Sequence, residues 1–481
     1  MANSQDVRVE RDFVLYWMIA ARRPSSNFAI DRAIKWAREL GQPLVIFEPL
    51  RVDYPWASER LHRFIIDGMA DNAKTLEKTP AFYYPYVEPT PGAGRGLLAA
   101  LASSASIVIT DDFPCFFLPR MVEAAARQID VRMEAVDSNG LLPMALADRA
   151  YSAASHFRRY MQKSLAVQLQ AVPTERPFFR LRLPRLTELP RAVSRQWPRA
   201  GDDLLIGDSR ALARLPIDHA VKPVSTKGGP ASGRRALQAF VKERLDSYHE
   251  THNHPDSDGT SRLSPYVHFG HVSAHEVFRA VMRHERWSLR SLAPRATGAR
   301  EGWWGVAKGP EAFLDQLVVW RELAYNTCVK RPGNYDRYSS LPLWARDTLK
   351  AHVTDPRPHR YTKSVFERAA TEDPLWNAAQ RQLLEEGWMH NYMRMLWGKK
   401  ILEWSRTPQE ALRIMMAIMD RWSLDGRDPN SYAGYFWVLG RYDRPWPERP
   451  VYGKVRSMSS ERTAEKVRVE RYRTRAGLAS K

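Results

Sequence analysis

Between residues 13 and 136, short unbroken apolar runs alternate with stretches of helical period, and this alternation narrows the fold more than any other feature. The runs are 13–18 (FVLYWM), 43–47 (PLVIF), 106–110 (SIVIT) and 131–136 (VRMEAV). The stretches 28–40, 58–75 and 119–128 carry helical periodicity, the first closing on Gly41. A strand apolar along its length is buried on both faces. Such strands alternating with helices specify a parallel, Rossmann-like α/β sheet covered on both sides, expected over residues 1–150. Ligands of these sheets sit at the carboxyl ends of strands. No G-x-G-x-x-G or P-loop singles out a dinucleotide or ATP.

Residues 151–231 are rich in proline and arginine, with Pro173, Pro177, Pro184, Pro190 and Pro198, and read as a connector between domains. From Ser232 strand signals give way to helical patterns, so an all-α domain is expected over 232–460. A basic tail, 461–481, follows. No internal repeat is evident.

The helical part is organised around 373–437, which holds six of the sixteen tryptophans in little more than an eighth of the length. From Leu383 to Glu403 there is no proline and good helix formers dominate. His390, Arg394, Trp397, Ile401 and Trp404 follow spacings of four, three, four and three and share one helix face. Arg is rarely buried without an anion, and Asp425, in the acidic loop 425–428, is the natural partner. Two readings fit: a Trp-rich core held by one buried ion pair, or a cofactor pocket with an aromatic chain leading from it.

Charge points to the partner. The formal net charge of +19 favours a polyanion, nucleic acid before an anionic membrane surface, although part of the excess lies in the tail. An aromatic fraction of 11% excludes a disordered basic protein. Two cysteines, Cys115 and Cys328, exclude a disulfide framework, a four-cysteine zinc site and an all-cysteine iron–sulfur cluster, and no metal site is expected. No apolar run reaches the length of a membrane span, about 18 residues, and no signal-peptide core precedes the first strand. A cytoplasmic or nucleoid-associated monomer with no membrane partner is expected.

A second informative stretch is 259–270, GTSRLSPYVHFG. Thr260, Ser261 and Ser264 place hydroxyls and amides ahead of a helix expected to begin near Ser273. This suits phosphate binding, or simply a capped turn.

Together these stretches resemble the photolyase/cryptochrome flavoproteins, and in detail the class II cyclobutane pyrimidine dimer DNA photolyases. The motifs are GTSRLSPYVHFG, DPLWNAAQ, GWMHNYMRMLWGKKILEW and DGRDPNSYAG, supported by VLYWM at 14–18 with Asn27, YSAA at 151–154, FLDQLVVWREL at 313–323 and ERPVYGK at 448–454. The resemblance spans nearly the whole chain. It implies an N-terminal α/β antenna domain, a linker and a helical domain holding FAD in a folded form. An antenna chromophore of deazaflavin or folate type is implied in kind, its identity left open.

Carried over by motif, Tyr248, Thr260, Ser261, Leu263 and Ser264 contact the flavin diphosphate region, and Arg394 with Asp425 forms the pair beside the isoalloxazine. The resemblance implies an electron relay of Trp397 nearest the flavin, then Trp376, then Trp404 toward solvent. Trp397 and Trp404 are seven residues apart on one helix, about 10.5 Å between Cα atoms. The implied DNA and lesion pocket uses Gln316, Trp320, Tyr392, Met395, Trp437, Asp443, Arg444 and Trp446, with Asn253 in a His-Asn pair where the family tends to place Arg-Asn.

Three departures stand out. Gln316 occupies the position of the family's glutamate that bonds the dimer. Met419 falls where class II enzymes place an asparagine facing the reactive flavin nitrogen. Tyr325 replaces a usual aspartate. The expected function is light-driven, FAD-dependent repair of pyrimidine dimers in DNA. The alternative is a blue-light sensor or repurposed flavoprotein that has lost repair. Positive charge with Trp320, Trp437 and Arg444 retained favours repair.

Overall fold

The structure, a computed structural model, describes residues 2–475. The chain divides into two compact units. The first takes residues up to 144, 167–238 and 263–280, and the second takes 145–166, 239–262 and 281 onward. The stretch expected as a connector, 151–231, is therefore shared, with 151–166 in the second unit and the rest in the first.

The first unit is built on a five-stranded, wholly parallel sheet of order β3-β2-β1-β4-β5. The strands are β1 (Phe13–Trp17), β2 (Leu44–Leu50), β3 (Phe82–Val87), β4 (Ala105–Asp111) and β5 (Met133–Val136). Between them lie α1 (Phe28–Leu40), α2 (Glu59–Leu76), α3 (Leu97–Ala102) and α4 (Leu118–Gln128). Alternate residues of each strand face opposite layers. Leu15, Trp17, Val45, Phe47 and Val108 pack with Leu97 and Leu101 of α3 and Ala125 of α4. Val14, Tyr16, Ile46, Ile107 and Ile109 pack with Ala29, Ile30, Ala33 and Ala37 of α1. Each fully buried Val, Leu or Ile contributes about 1.5–3 kcal/mol, which explains why these strands carry no polar alternation.

Helix α1 has the bounds its sequence specifies. Asn27 caps it by accepting from the Ala29 and Ile30 amides, and Gly41 ends it at φ 64°, in the left-handed region. Strand β3 was not legible from periodicity because FYYPYV contains Pro85. It is the outer strand, where the missing N–H costs no ladder bond to a neighbour.

The strand order reverses at β1 and β4, so their carboxyl ends form the switch point where such sheets bind ligands. This chain stitches that end with its own groups. Asp111 accepts from the Ile19, Ala20 and Ala21 amides at 2.9, 2.7 and 3.0 Å and from the Tyr16 hydroxyl at 2.7 Å. Glu48, at the end of β2, accepts from Arg22 at 3.0 Å, Asn72 at 2.9 Å and Tyr83 at 2.6 Å. Buried carboxylates are tolerated only with such donors.

Among the described residues all five strands precede residue 137, and the regular structure of the second unit is helical apart from isolated bridges. Its central helices are α5 (Pro374–Glu386), α6 (Asn391–Trp404), α7 (Pro408–Trp422) and α8 (Pro429–Val438). The proline-free run 383–403 is two helices rather than one. Gly387, at φ 63°, ends α5 with its amide on the Leu383 carbonyl, and His390 caps α6. The start of the expected basic tail is ordered into helices Ser460–Lys466 and Glu470–Arg475, with Val467, Val469 and Tyr472 buried, while residues 476–481 lie outside the described residues. No helix among the described residues is long and apolar enough to cross a membrane.

Candidate functional site

The aromatic array lies in the second unit and is built from Trp376, Trp397 and Trp404. Helix α5 begins at Asp373, whose carboxylate accepts from the Leu375 and Trp376 amides and so fixes the first turn carrying Trp376. Trp397 and Trp404 sit two turns apart on α6, which packs against α5. The Trp376 ring is parallel to Trp397 (6.4 Å between centres, 7° between planes) and inclined to Trp404 (6.0 Å, 67°). The three residues are 0%, 1% and 3% exposed, so each indole needs an internal partner. Trp376 Nε1 donates to the Trp397 carbonyl at 3.0 Å, and Trp397 Nε1 donates to Gln380 Oε1 at 2.8 Å. Phe366 packs on both Trp376 and Trp404.

One turn before Trp397, Arg394 Nη2 reaches Asp425 at 3.0 and 3.2 Å. The pairing expected from burial cost is present. Asp425 also accepts from the Ser423 hydroxyl at 2.5 Å, and its carbonyl accepts from Ser431 at 2.7 Å. Met419 is fully buried on α7, and Gly426 lies so close that a Cβ there would stand 2.6 Å from the Met419 carbonyl oxygen.

Tyr248 is buried, stacked on His252 (4.6 Å, 13°) and edge-on to Phe240 and Phe313. Burial, with the nearby Asp315 carboxylate, pushes its hydroxyl pKa up. Asn253 follows in the partly buried segment after the short helix Tyr248–Thr251. Thr260 is buried, and Arg262, at φ 54°, turns the chain by bonding Asp258 and Glu386 while its guanidinium lies 4.5 Å from the Trp388 ring centre. Thr260 and Ser261 belong to the second unit, and Leu263 and Ser264 to the first. The helix expected near Ser273 starts at Ala274, and Ser264 itself opens a five-residue helix, Ser264–His268.

Gln316 and Trp320 lie on a π-helical segment, Asp315–Trp320, where the Arg321 amide reaches back to the Gln316 carbonyl. They are the half-exposed members of a segment otherwise buried. Its start is anchored by buried Asp315, which accepts from Arg158 at 2.8 Å. Such wide turns recur at functional sites. Nothing in residue spacing signals one. Tyr325 accepts from Arg321 at 3.0 Å, beneath its guanidinium.

On α6, Tyr392 is buried and Met395 half-buried. On α8, Trp437 is half-exposed, with Lys399 Nζ 4.7 Å from its ring centre. Beyond α8, Asp443 Oδ1 accepts from the Arg444 amide at 2.9 Å and Trp446 Nε1 at 3.2 Å, and the Arg444 and Arg456 guanidinium groups lie against the Trp446 ring. Arg444 is exposed.

Two residues gain weight only from the structure. Gln380, four residues after Trp376, holds the Trp397 indole, and its spacing was the available signal. Lys399 is fully buried, donates to the Val438 carbonyl at 2.7 Å, and burial pushes its pKa down to about 7. A lysine in a helical pattern reads as surface, so sequence gave no sign of it. The metal-type group found among the described residues, Asp246, His284 and Glu285, shares no residue with these clusters.

No family model matches the chain. A deoxyribodipyrimidine photo-lyase from Methanothermobacter thermautotrophicus is 33% identical over 471 residues, covering 98% of this chain and 96% of the relative. This chain belongs to the photolyase/cryptochrome family. A second such photo-lyase, from Potorous tridactylus, is 33% identical over 92% of this chain and 77% of its own length. Among solved structures, a bacterial class III photolyase from Agrobacterium tumefaciens superposes with a TM-score of 0.69 at 18% identity, over 97% of this chain and 86% of its own. A Synechocystis cryptochrome superposes with a TM-score of 0.65 at 15% identity, over 97% and 89%. Both show the family fold.

The second unit also fits the family's flavin. Thr260 Oγ1 and Arg394 Nε are buried donors without a protein partner, and buried polar atoms of this kind are open to a ligand or to water. A hydroxyl and a guanidinium suit the phosphates and the polar edge of a flavin ring.

Proposed function

We propose that this chain is a deoxyribodipyrimidine photo-lyase that uses light and FAD to split cyclobutane pyrimidine dimers in DNA. The observation that carries the reading is the contiguous Trp397–Trp376–Trp404 array starting one helical turn from the Arg394–Asp425 pair. Full-length similarity to photo-lyases supports it, whereas Cryptochrome-1 of Arabidopsis thaliana aligns with 35% of the chain.

When bound, FAD supplies the light-driven one-electron chemistry of ring splitting. Tyr248, Thr260 and Ser261 would hold its phosphate-bearing part, and Arg394 with Asp425 its ring. The three indoles, in ring contact, provide a route for charge from the pocket to Trp404, which is itself buried rather than at the surface. Trp320 and Trp437 present half-exposed aromatic faces on which a flipped dimer stacks. Gln316, four residues from Trp320 on the π-helical segment, donates a neutral amide hydrogen bond to the lesion. Tyr392 and Met395 add pocket wall. Arg444, exposed and oriented through the Asp443–Trp446 cluster, meets backbone phosphate, and the net charge of +19 adds long-range attraction. Asn253 is the remaining candidate for DNA contact.

The test is repair of dimer-containing DNA by reduced protein under blue light. Loss of dimers in the light and not in the dark supports the reading. Reduced, flavin-loaded protein that binds the lesion but repairs none overturns it.

A further inference from the structure

The far end of the tryptophan array borders a pocket that dimer splitting does not use. Its volume is ≈ 450 Å³, within the second unit, and small-molecule pockets run from about 300 to 1,000 Å³. Pro358, Pro374, Leu375, Val469 and the Trp404 indole give it an apolar lining. The C-terminal helices supply one wall, secured by the Ser460 hydroxyl bonding the Asp373 carboxylate.

The charges around it select the occupant. Lys400 is paired with Glu403 at 3.0 Å and Arg473 with Glu470 at 3.5 Å. The lining lysine and arginine thus already have a carboxylate, and the third basic lining residue, His359, lies 3.6 Å from the Glu372 carboxylate, so none of them offers a strong anion site. The lining carboxylates Glu372 and Glu461 are acceptors for hydroxyl donors and disfavour an anionic guest. An apolar wall with an aromatic ring and carboxylate acceptors suits an uncharged, flat, hydroxyl-bearing molecule.

We propose that this pocket binds a small dihydroxybenzene reductant and delivers its electrons to Trp404. The proposal rests on the relay reading above. An indole left one electron short at Trp404 takes one electron from the bound donor. The donor's hydroxyl proton passes to a lining carboxylate and on to water. Two donors oxidised in this way disproportionate in solution to one quinone and one dihydroxybenzene, which balances electrons and protons.

Hydroquinone is the probe. Ala464 lines the pocket and is exposed on helix Ser460–Lys466, so Ala464→Trp fills the space without entering the core. In the dark under argon, hydroquinone should bind the purified wild type saturably, read by tryptophan fluorescence or NMR. Blue-light flavin reduction should saturate over the same concentration range, while ascorbate shows only linear dependence. Ala464→Trp should lose both saturations with flavin content and melting temperature unchanged, and Val469→Phe gives an independent block. No dark binding, or a hydroquinone rate that stays linear and equal in wild type and variant, overturns the proposal alone. Absence of photoreduction with every reductant sinks the relay reading and the proposal with it.

Discussion

Trp376 lies parallel to Trp397 and donates its indole N–H to the Trp397 backbone carbonyl at 3.0 Å. The second ring of the array is therefore positioned by the main chain of the helix that carries the first and third. The spacing of Trp397 and Trp404 follows helix geometry, and Phe366 packs on both Trp376 and Trp404.

Trp397→Phe should abolish most blue-light flavin reduction, because phenylalanine fills the space but is much harder to oxidise. It also leaves buried Gln380 Oε1 without its donor, costing about 1–3 kcal/mol. Trp397→Phe with Gln380→Leu should recover part of that stability, since the Gln380 amide also donates to the Glu367 carbonyl at 3.2 Å, and remain defective in photoreduction. Transient absorption and thermal melts read the two effects separately, and unchanged photoreduction rules out this route.

Asp425→Ala should empty the flavin pocket and destabilise the second unit, since it strands a mostly buried Arg394. Breaking one side of a buried pair costs about 3–5 kcal/mol. Flavin absorbance per chain and the denaturation midpoint check both. Full flavin occupancy at wild-type stability would refute the role of the pair.

Lys399 gives a pH signature. Burial lowers its folded pKa from 10.5 to about 7, with Asp443 opposing and Arg456 adding to the shift. Between those values the unfolded chain binds the extra proton, so stability rises with pH; it is lost as pH falls through about 7. The slope is at most about 1.4 kcal/mol per pH unit. Denaturation of wild type and Lys399→Met from pH 6 to about 10 should show a rise that the variant lacks. Parallel curves would contradict it.

Gln316→Glu with Met419→Asn should raise the quantum yield of dimer repair. A charge-assisted hydrogen bond is about twice as strong as a neutral one, and a positioned stabiliser of developing charge is worth on the order of 100-fold in rate. Met419 is fully buried, so its asparagine costs stability unless the flavin accepts its amide, making flavin-dependent melting a second readout. Lesion affinity should change little. Repair no better than wild type in a lesion-binding, flavin-loaded double variant would deny these positions their role.

Arg444→Ala should weaken DNA binding evenly across sequences and remove about one unit of salt slope. Its guanidinium is exposed beside the Trp446 ring. Titrations over a salt series decide, and an unchanged slope removes Arg444 from the interface.

What sequence could show followed from short-range rules. Helix α1 was exact because Asn27 and Gly41 punctuate it locally. The Arg394–Asp425 pair was legible because a buried guanidinium demands an anion. The break at Gly387 was hidden by helix formers on both sides, and becomes clear only when Leu424 N and Ser423 Oγ are seen bonding its carbonyl. The π-helical segment under Gln316 and Trp320 has no periodicity of its own. Lys399 lay hidden because burial of an ammonium is decided by tertiary packing. Here Gly398 permits that packing, since a Cβ there would stand 2.5 Å from Val438.

Pro85 on the outer strand has a consequence beyond the reading of β3. A free strand edge is a template on which another chain can extend a sheet. Here Pro85 lacks a donor, its carbonyl accepts from Ala200 at 2.8 Å, and Tyr84 bonds the Trp197 carbonyl. The segment around residues 190–200 therefore occupies that edge, leaving less of it for a second copy to extend. Shortening that segment should leave the second unit folded and promote edge-to-edge association, read by light scattering.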